Sequence, residues 1–262
     1  IIPTWNNLEY LKLCVHSIRA YSHFDHEIII HVNDGSDGTL EWVKSQEIKF
    51  SHTEKNVGVC ISVNHLVSLA THDWVLYLND DMVACPGWDT AFSQAIESTD
   101  TNLVLFFSAL IQADNGKNSH IIKQNFGSSP ADFDEARLIK EYLSIDKENA
   151  EGASSQPTLF HKKWWNIVGG YSVEFSPGMS SDDDLLMKYW VIGCRHYRVV
   201  GASRFYHFSC KSTGRIRHNM GGRIFAMKWG ITQKEFFQQY LGTLNRDFQG
   251  CHYPRFPHTS LR

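Results

Sequence analysis

The feature that most constrains this chain is an alternation. Strand-sized apolar runs, each ending in a cluster of Asn, Asp, Thr or Gly, are followed by stretches with helical spacing. Ile1-Ile2 leads into Pro3-Thr4-Trp5-Asn6-Asn7, after which Leu8, Leu11, Val15 and Ile18 recur three or four residues apart. Residues 27–33 read as a second strand that stops at Asn33-Asp34-Gly35-Ser36-Asp37-Gly38, too rich in Gly and Asp to continue a regular element, and 39–43 as a short helix. A third strand is expected at 48–52, a helix at 59–70 and a fourth strand at 74–78, whose unbroken apolar character suits a sheet covered on both faces. The alternation predicts an α/β chain with a mostly parallel central sheet of Rossmann-like type flanked by helices. Ligands of such sheets sit beyond the carboxyl ends of the strands, so Thr4 to Asn7, Asn33 to Ser36 and Asn79-Asp80-Asp81 are expected to converge on one cleft.

The second half is less regular. After an apolar run at 103–107, residues 112–156 are polar apart from a helical pattern at about 133–143, and they read as an insertion without an assigned role. Beyond them come a strand at 158–160, a Trp-rich helix with Gly169-Gly170, and an acidic run, Asp182-Asp183-Asp184, that opens a helix reaching residue 192. A strand near 197–200 and a basic loop at 211–217 follow. With no repeat and no linker, one domain is expected over 1–262, divided into 1–110, a variable insertion at 111–157, and 158–262.

Composition excludes several classes. With 25 Lys plus Arg against 28 Asp plus Glu, the net charge of -3 gives no basic footprint for nucleic acid. The longest apolar runs (28–30, 74–78 and 103–107) fall far short of the roughly 20 residues that cross a bilayer, so no transmembrane segment is expected. The six cysteines form no CxxC pair, Asn-x-Ser/Thr does not occur, and the amino end carries no signal-peptide pattern. A cytoplasmic setting is expected, with peripheral attachment to a membrane left open. The chain starts without Met at Ile1, in what reads as the interior of a strand.

Asn79-Asp80-Asp81 follows a buried strand directly, and hard oxygen ligands there suit Mg²⁺ or Mn²⁺ holding a diphosphate; a solvated turn uses the same residue types. Asp34 ends the second strand in the same way and offers a carboxylate to a base N–H or to ribose hydroxyls. The chain lacks GxGxxG and GxxxxGK-Ser/Thr, which removes the main support for dinucleotide and P-loop readings.

Seven short motifs stand in the order and spacing of family 2 glycosyltransferases of the GT-A fold, which the chain resembles over nearly its whole length. They are Pro3-Thr4-Trp5-Asn6-Asn7, Asn33-Asp34-Gly35-Ser36, Asn56-Val57-Gly58, Leu78-Asn79-Asp80-Asp81, Gly169-Gly170-Tyr171, Ser181-Asp182-Asp183-Asp184-Leu185 and Lys228-Trp229-Gly230. The resemblance implies inverting transfer of a sugar from a nucleotide sugar, a UDP-sugar by expectation, to a glycan or other hydroxyl acceptor. It places 1–110 as the nucleotide-sugar half and 158–262 as the acceptor half. The donor set it implies is Pro3, Thr4, Asp34, Asn56, Asn79 and Asp80, with Lys211 and Arg215 closing over the diphosphate. Asp81 and His207 are the implied ligands of Mn²⁺ (or Mg²⁺), Asp182 the general base, and Asp183 and Trp165 the acceptor contacts. Two positions depart from the family pattern: Asn79 stands for the first Asp of the DxD motif, and Ser181 for the Glu of the usual Glu-Asp pair. Two rival readings are a sugar nucleotidyltransferase, which would need a Gly-rich basic loop near residues 4–7, and a catalytically silent carbohydrate- or nucleotide-binding module, which would be expected to have lost Asp182 or His207.

Overall fold

The computed structural model describes residues 1–114, 121–145, 147–209, 215 and 219–241. Its first part follows the alternation closely: β1 (Ile2–Trp5), α1 (Leu8–Tyr21), β2 (Ile29–Asn33), α2 (Thr39–Ser45), β3 (Lys49–Thr53), α3 (Gly58–Leu69) and β4 (Trp74–Tyr77). β1, β2 and β3 pair in parallel, with Thr4 opposite Val32 and Val32 opposite His52. β4 continues this sheet through the other edge of β1. The Leu78 amide donates to the Ile1 carbonyl at 3.1 Å and the Ile1 nitrogen to the Leu76 carbonyl at 2.8 Å, the pattern of a parallel bridge.

The chain then continues through β5 (Met82–Ala84), α4 (Trp88–Glu97), β6 (Val104–Gln112), β7 (Ile121–Lys123), α5 (Glu135–Glu141), β8 (Ala150–Glu151), β9 (Thr158–His161), α6 (Lys162–Val168), α7 (Ser181–Val191), β10 (His196–His207) and α8 (Gly221–Trp229). The strand order is β4-β9-β6-β10-β5, with β7 on β6 and β8 on β10. β6 and β10 run parallel, whereas β9 lies antiparallel between β4 and β6, and β5 antiparallel on β10. The sheet is therefore mixed in this half. After the polar cluster at 79–81 the chain turns straight into β5, with no crossover helix to restore its direction.

Both faces of the sheet are covered, and β6 divides its side chains between them. Leu105, Phe107 and Ala109 join the core beneath α3 and α7, while Val104, Phe106 and Leu110 join the one beneath α1 and α4. Burying each Phe or Leu contributes about 1.5–3 kcal/mol before entropy is subtracted. A third cluster gathers Ile111, Phe126, Leu138, Tyr142, Tyr206 and Phe208. The described part of segment 111–157 is thereby packed onto the carboxyl ends of β6 and β10, more integrated than a polar insertion suggests. Cys14, Cys60, Cys85 and Cys194 are buried. Among the described residues no helix is long and apolar enough to cross a membrane.

Candidate active site

The strand-end clusters do meet. One cleft of about 220 Å³ is lined by Pro3, Thr4 and Trp5 after β1, by Asn33 at the end of β2, by Asn56 and Gly58 at the start of α3, by Asn79 and Asp80 after β4, and by Ser181 and Asp182 at the start of α7. A second pocket, of about 650 Å³, lies beyond Asn79 and Gln156, which line both; its wall includes Asp81, Gln112 and His207.

Asp80 is held by the Thr4 hydroxyl, which donates to Oδ2 at 2.6 Å, and by Asn7 Nδ2, which donates to Oδ1 at 3.0 Å. Burial and then the neighbouring Asp81 charge raise its pKa above the ordinary carboxylate range, against the pull of those two donors. Asn33 is a brace: its Nδ2 donates to the Thr4 carbonyl at 3.2 Å, and its Oδ1 accepts the Val57 amide at 3.0 Å. Asp34, next to Asn33, lines neither pocket; it lies in the left-handed region at φ 62°, where Asn6 Nδ2 donates to it at 2.8 Å and the Ser36 amide at 3.2 Å. The Ser36 and Asn6 hydrogen bonds hold its pKa below the usual value. Asn56 Oδ1 accepts the Gly58 amide at 2.9 Å, opening α3 toward the cleft. Arg215 folds across the end of β1, its guanidinium 4.6 Å from the centre of the Trp5 ring and donating to the Trp5 carbonyl at 2.6 Å. Lys211, Gly214 and Arg217 lie outside the described residues.

Asp81 and His207 form a pair across β5 and β10, with His207 Nε2 3.3 Å from Asp81 Oδ1. His207 Nδ1 is 3.0 Å from Gln112 Oε1, which also accepts the Ser209 hydroxyl at 2.9 Å. With the Gln112 amide assigned in that orientation, Nδ1 carries the hydrogen, so a neutral His207 aims a bare nitrogen at a carboxylate oxygen. Two acceptors facing each other call for a cation or a proton between them. Among the described residues, no group of three or more His, Cys, Asp or Glu is arranged to hold a metal.

Asp182 opens α7 on the wall of the cleft. Its carboxyl group is reachable from the cleft but enclosed by protein on its other sides, and that enclosure raises its pKa. Tyr171 Oη and Gln156 Nε2, the latter at 2.7 Å, both donate to its Oδ1 and oppose the rise. Asp183 accepts a hydrogen bond from Gln233, and burial followed by the Asp182 charge pushes its pKa up to about 6. Asp184 turns inward, completely buried, to accept from Ser172 Oγ at 2.6 Å and Trp229 Nε1 at 2.9 Å, with Lys228 Nζ at 2.9 Å. The helix start thus splits three carboxylates among the cleft, the helical turn at Gln233–Glu235 and the core.

The expectation for Trp165 is corrected. It is 3% exposed, stacked on Phe160 with ring centres 4.6 Å apart, and lines neither pocket, because α6 turns its apolar face onto β9. His207 is the last residue of β10 itself, where an apolar stretch beyond a strand near 197–200 was expected. Gln112 and Gln156 were not picked out from the sequence, because they bound a polar segment without an assigned role. Tyr171 stands inside a quoted motif but reads as an aromatic for core packing or for stacking on an acceptor sugar, not as a partner of Asp182.

Comparison with known proteins fits this geometry. No curated protein matches the sequence significantly. Among solved structures, S. aureus TarS 1–349 superposes with a TM-score of 0.58 at 14% identity over 79% of this chain and 58% of that chain. The same protein in complex with UDP gives 0.57 at 13% over 79% and 58%. GalNAc-T7 with UDP, GalNAc and Mn²⁺ gives 0.62 at 16% over 91% of this chain and 49% of that one. The chain spans about half the length of these structures, and the likeness is one of fold: the architecture is GT-A. The profile of Glycosyl transferase family 2 matches residues 1–164, well over half of the sequence, and the chain belongs to that family.

Proposed function

We propose that the protein transfers a sugar from a nucleotide sugar, a UDP-sugar by preference, to a hydroxyl acceptor with inversion at the anomeric carbon. The observation that carries this reading is that one cleft joins the carboxyl ends of β1, β2 and β4 to the start of α7, so polar groups suited to a nucleoside and its diphosphate share a wall with a carboxylate. Residues 1–110 supply the donor half, with Pro3, Thr4, Asn56 and Asn79 around the nucleoside, Asp34 next to Asn33 and Asp80 toward the ribose. Residues 158–262 supply the acceptor half, and Asp183 beside Asp182 is suited to orienting the acceptor.

In the reaction, the acceptor oxygen bonds to the anomeric carbon while the bond from that carbon to the diphosphate oxygen breaks. The acceptor proton passes to Asp182, and the nucleoside diphosphate leaves with the bonding pair. A pKa raised by desolvation makes Asp182 a stronger base than an ordinary carboxylate. Arg215, close enough to Asp80 to lower its pKa, lends positive charge at the same lip of the cleft. Asp81 and the bare His207 nitrogen would hold a divalent ion, with Gln112 orienting the imidazole from behind. Such an ion would supply charge that offsets the departing diphosphate.

A thermal-shift screen of nucleotide sugars tests the reading, since a ligand at 100 times its Kd stabilises by about 2.7 kcal/mol. One donor class is expected to raise the midpoint by several degrees with Mn²⁺ and much less with excess chelator. No shift with any nucleotide sugar would overturn the donor assignment, and equal shifts under chelation would overturn the metal.

A further inference from the structure

We propose that Gln156 and Tyr171 are positioning residues: together they clamp Oδ1 of Asp182 from two sides and leave Oδ2 as the atom that takes the acceptor proton. The proposal rests on the reading of Asp182 as the base. Gln156 Nε2 and Tyr171 Oη both donate to Oδ1, and among the described residues none donates to Oδ2. A carboxylate bound at one oxygen by two donors cannot rotate without losing both bonds, so the two oxygens are made unequal.

The donors are themselves held. Tyr171 is 3% exposed, its ring edge-on to Trp165 at 5.2 Å and to Tyr77 at 6.2 Å. Asn64 on α3 grips its backbone on both sides, accepting the Tyr171 amide at Oδ1 and donating from Nδ2 to the Tyr171 carbonyl, each at 2.8 Å. That grip explains Gly170. At φ +59° a Cβ there would lie 2.3 Å from Asn64 Oδ1 and 2.6 Å from Trp165 Nε1, so any side chain would push Asn64 off Tyr171. The Gly-Gly-Tyr motif, which the donor and metal assignments leave unused, thus delivers a phenol to the base. Burial, and then the Asp182 charge, drives the Tyr171 pKa well above its ordinary 10, so the phenol remains a donor wherever the enzyme is folded. Gln156 is 6% exposed and stands between the two pockets, so its hold on Asp182 also sets the partition between them.

Removing either donor should make the ionised carboxylate less favourable. The other groups whose charges are felt with Asp182 are Asp183 on α7, Tyr77 on β4 with Asp80 beyond it, and Cys60 on α3. Neither Tyr171→Phe nor Gln156→Leu touches these, so their field is common to all variants.

The test is the carboxyl ¹³C titration of Asp182 in the whole protein labelled with ¹³C-aspartate, its signal identified by loss in Asp182→Asn. Tyr171→Phe and Gln156→Leu should each move the titration midpoint up by roughly 1 pH unit. A merely structural role predicts the opposite sign, because loosening admits water to a carboxylate whose pKa burial has raised. An unchanged or lowered midpoint in either variant would overturn the clamp. The titration needs no substrate, so its result stands apart from whether Asp182→Asn retains turnover, which tests the base assignment itself.

Discussion

At the scale of single residues, the site works by setting burial against hydrogen bonding. Desolvation raises the pKa of both Asp80 and Asp182, and each is given two donors that oppose the rise. His31 shows burial winning. It lies within β2 with Nδ1 2.8 Å from Ser51 Oγ and the His65 ring centre 6.0 Å away, and burial, then the His65 charge, lower its pKa from 6.5 to about 4. Between those values the unfolded chain binds the proton more readily than the folded one. Stability therefore rises with pH across the window, is complete above 6.5, and is lost as pH falls toward about 4. The thermal midpoint of the wild type should accordingly fall relative to that of His31→Gln on acidification through this range; an offset independent of pH would contradict it. Thr4, Asp80 and Asp182 were legible in the sequence because each sits where an apolar run or a helix begins or ends. Trp165 misled because flatness and proximity to a motif do not reveal which face of a helix is buried.

At the scale of elements, the start of α7 is fixed by its anchor. Asp184 ties it to α8 through Lys228 and Trp229, with Lys188 3.7 Å away and Ser172 closing the network. Breaking a buried charged network by removing one partner typically costs about 3 kcal/mol or more, because the remaining charges stay desolvated. Asp184→Asn should lower the unfolding free energy obtained from urea titration by that amount, whereas Asp183→Asn, half-buried and tied to Gln233, should change it far less; equal effects would show that the anchor is not Asp184. β10 marks the limit of what periodicity reveals. Its pairing with β6 shifts between Val200 and Arg204, and the small residues Gly201, Ala202 and Ser203 break the apolar pattern there, so the strand reads as ending at residue 200 when it reaches His207. The antiparallel place of β9 was hidden for a different reason: a strand's own sequence does not name its neighbours.

At the scale of the whole molecule, the cleft exists because β1 and β4 lie side by side and α7 returns over their carboxyl ends. The first sheet, built from local strand-helix-strand units, was readable in advance. The walls supplied by Gln112 and Gln156 were not, because they depend on Phe126, Leu138 and Tyr142 packing onto β6 and β10. The central claim is that this junction is a glycosyl-transfer site in which Asp182 takes the acceptor proton. Its most direct test is nucleoside diphosphate release by Asp182→Asn, with the donor and acceptor that support wild-type turnover and with UDP affinity measured in parallel by calorimetry. The account predicts a rate lower by about 10²- to 10⁴-fold with UDP affinity unchanged, since Asn keeps the shape but cannot accept the proton. Near-normal turnover would contradict it and move the base elsewhere, with Asp183 first in line.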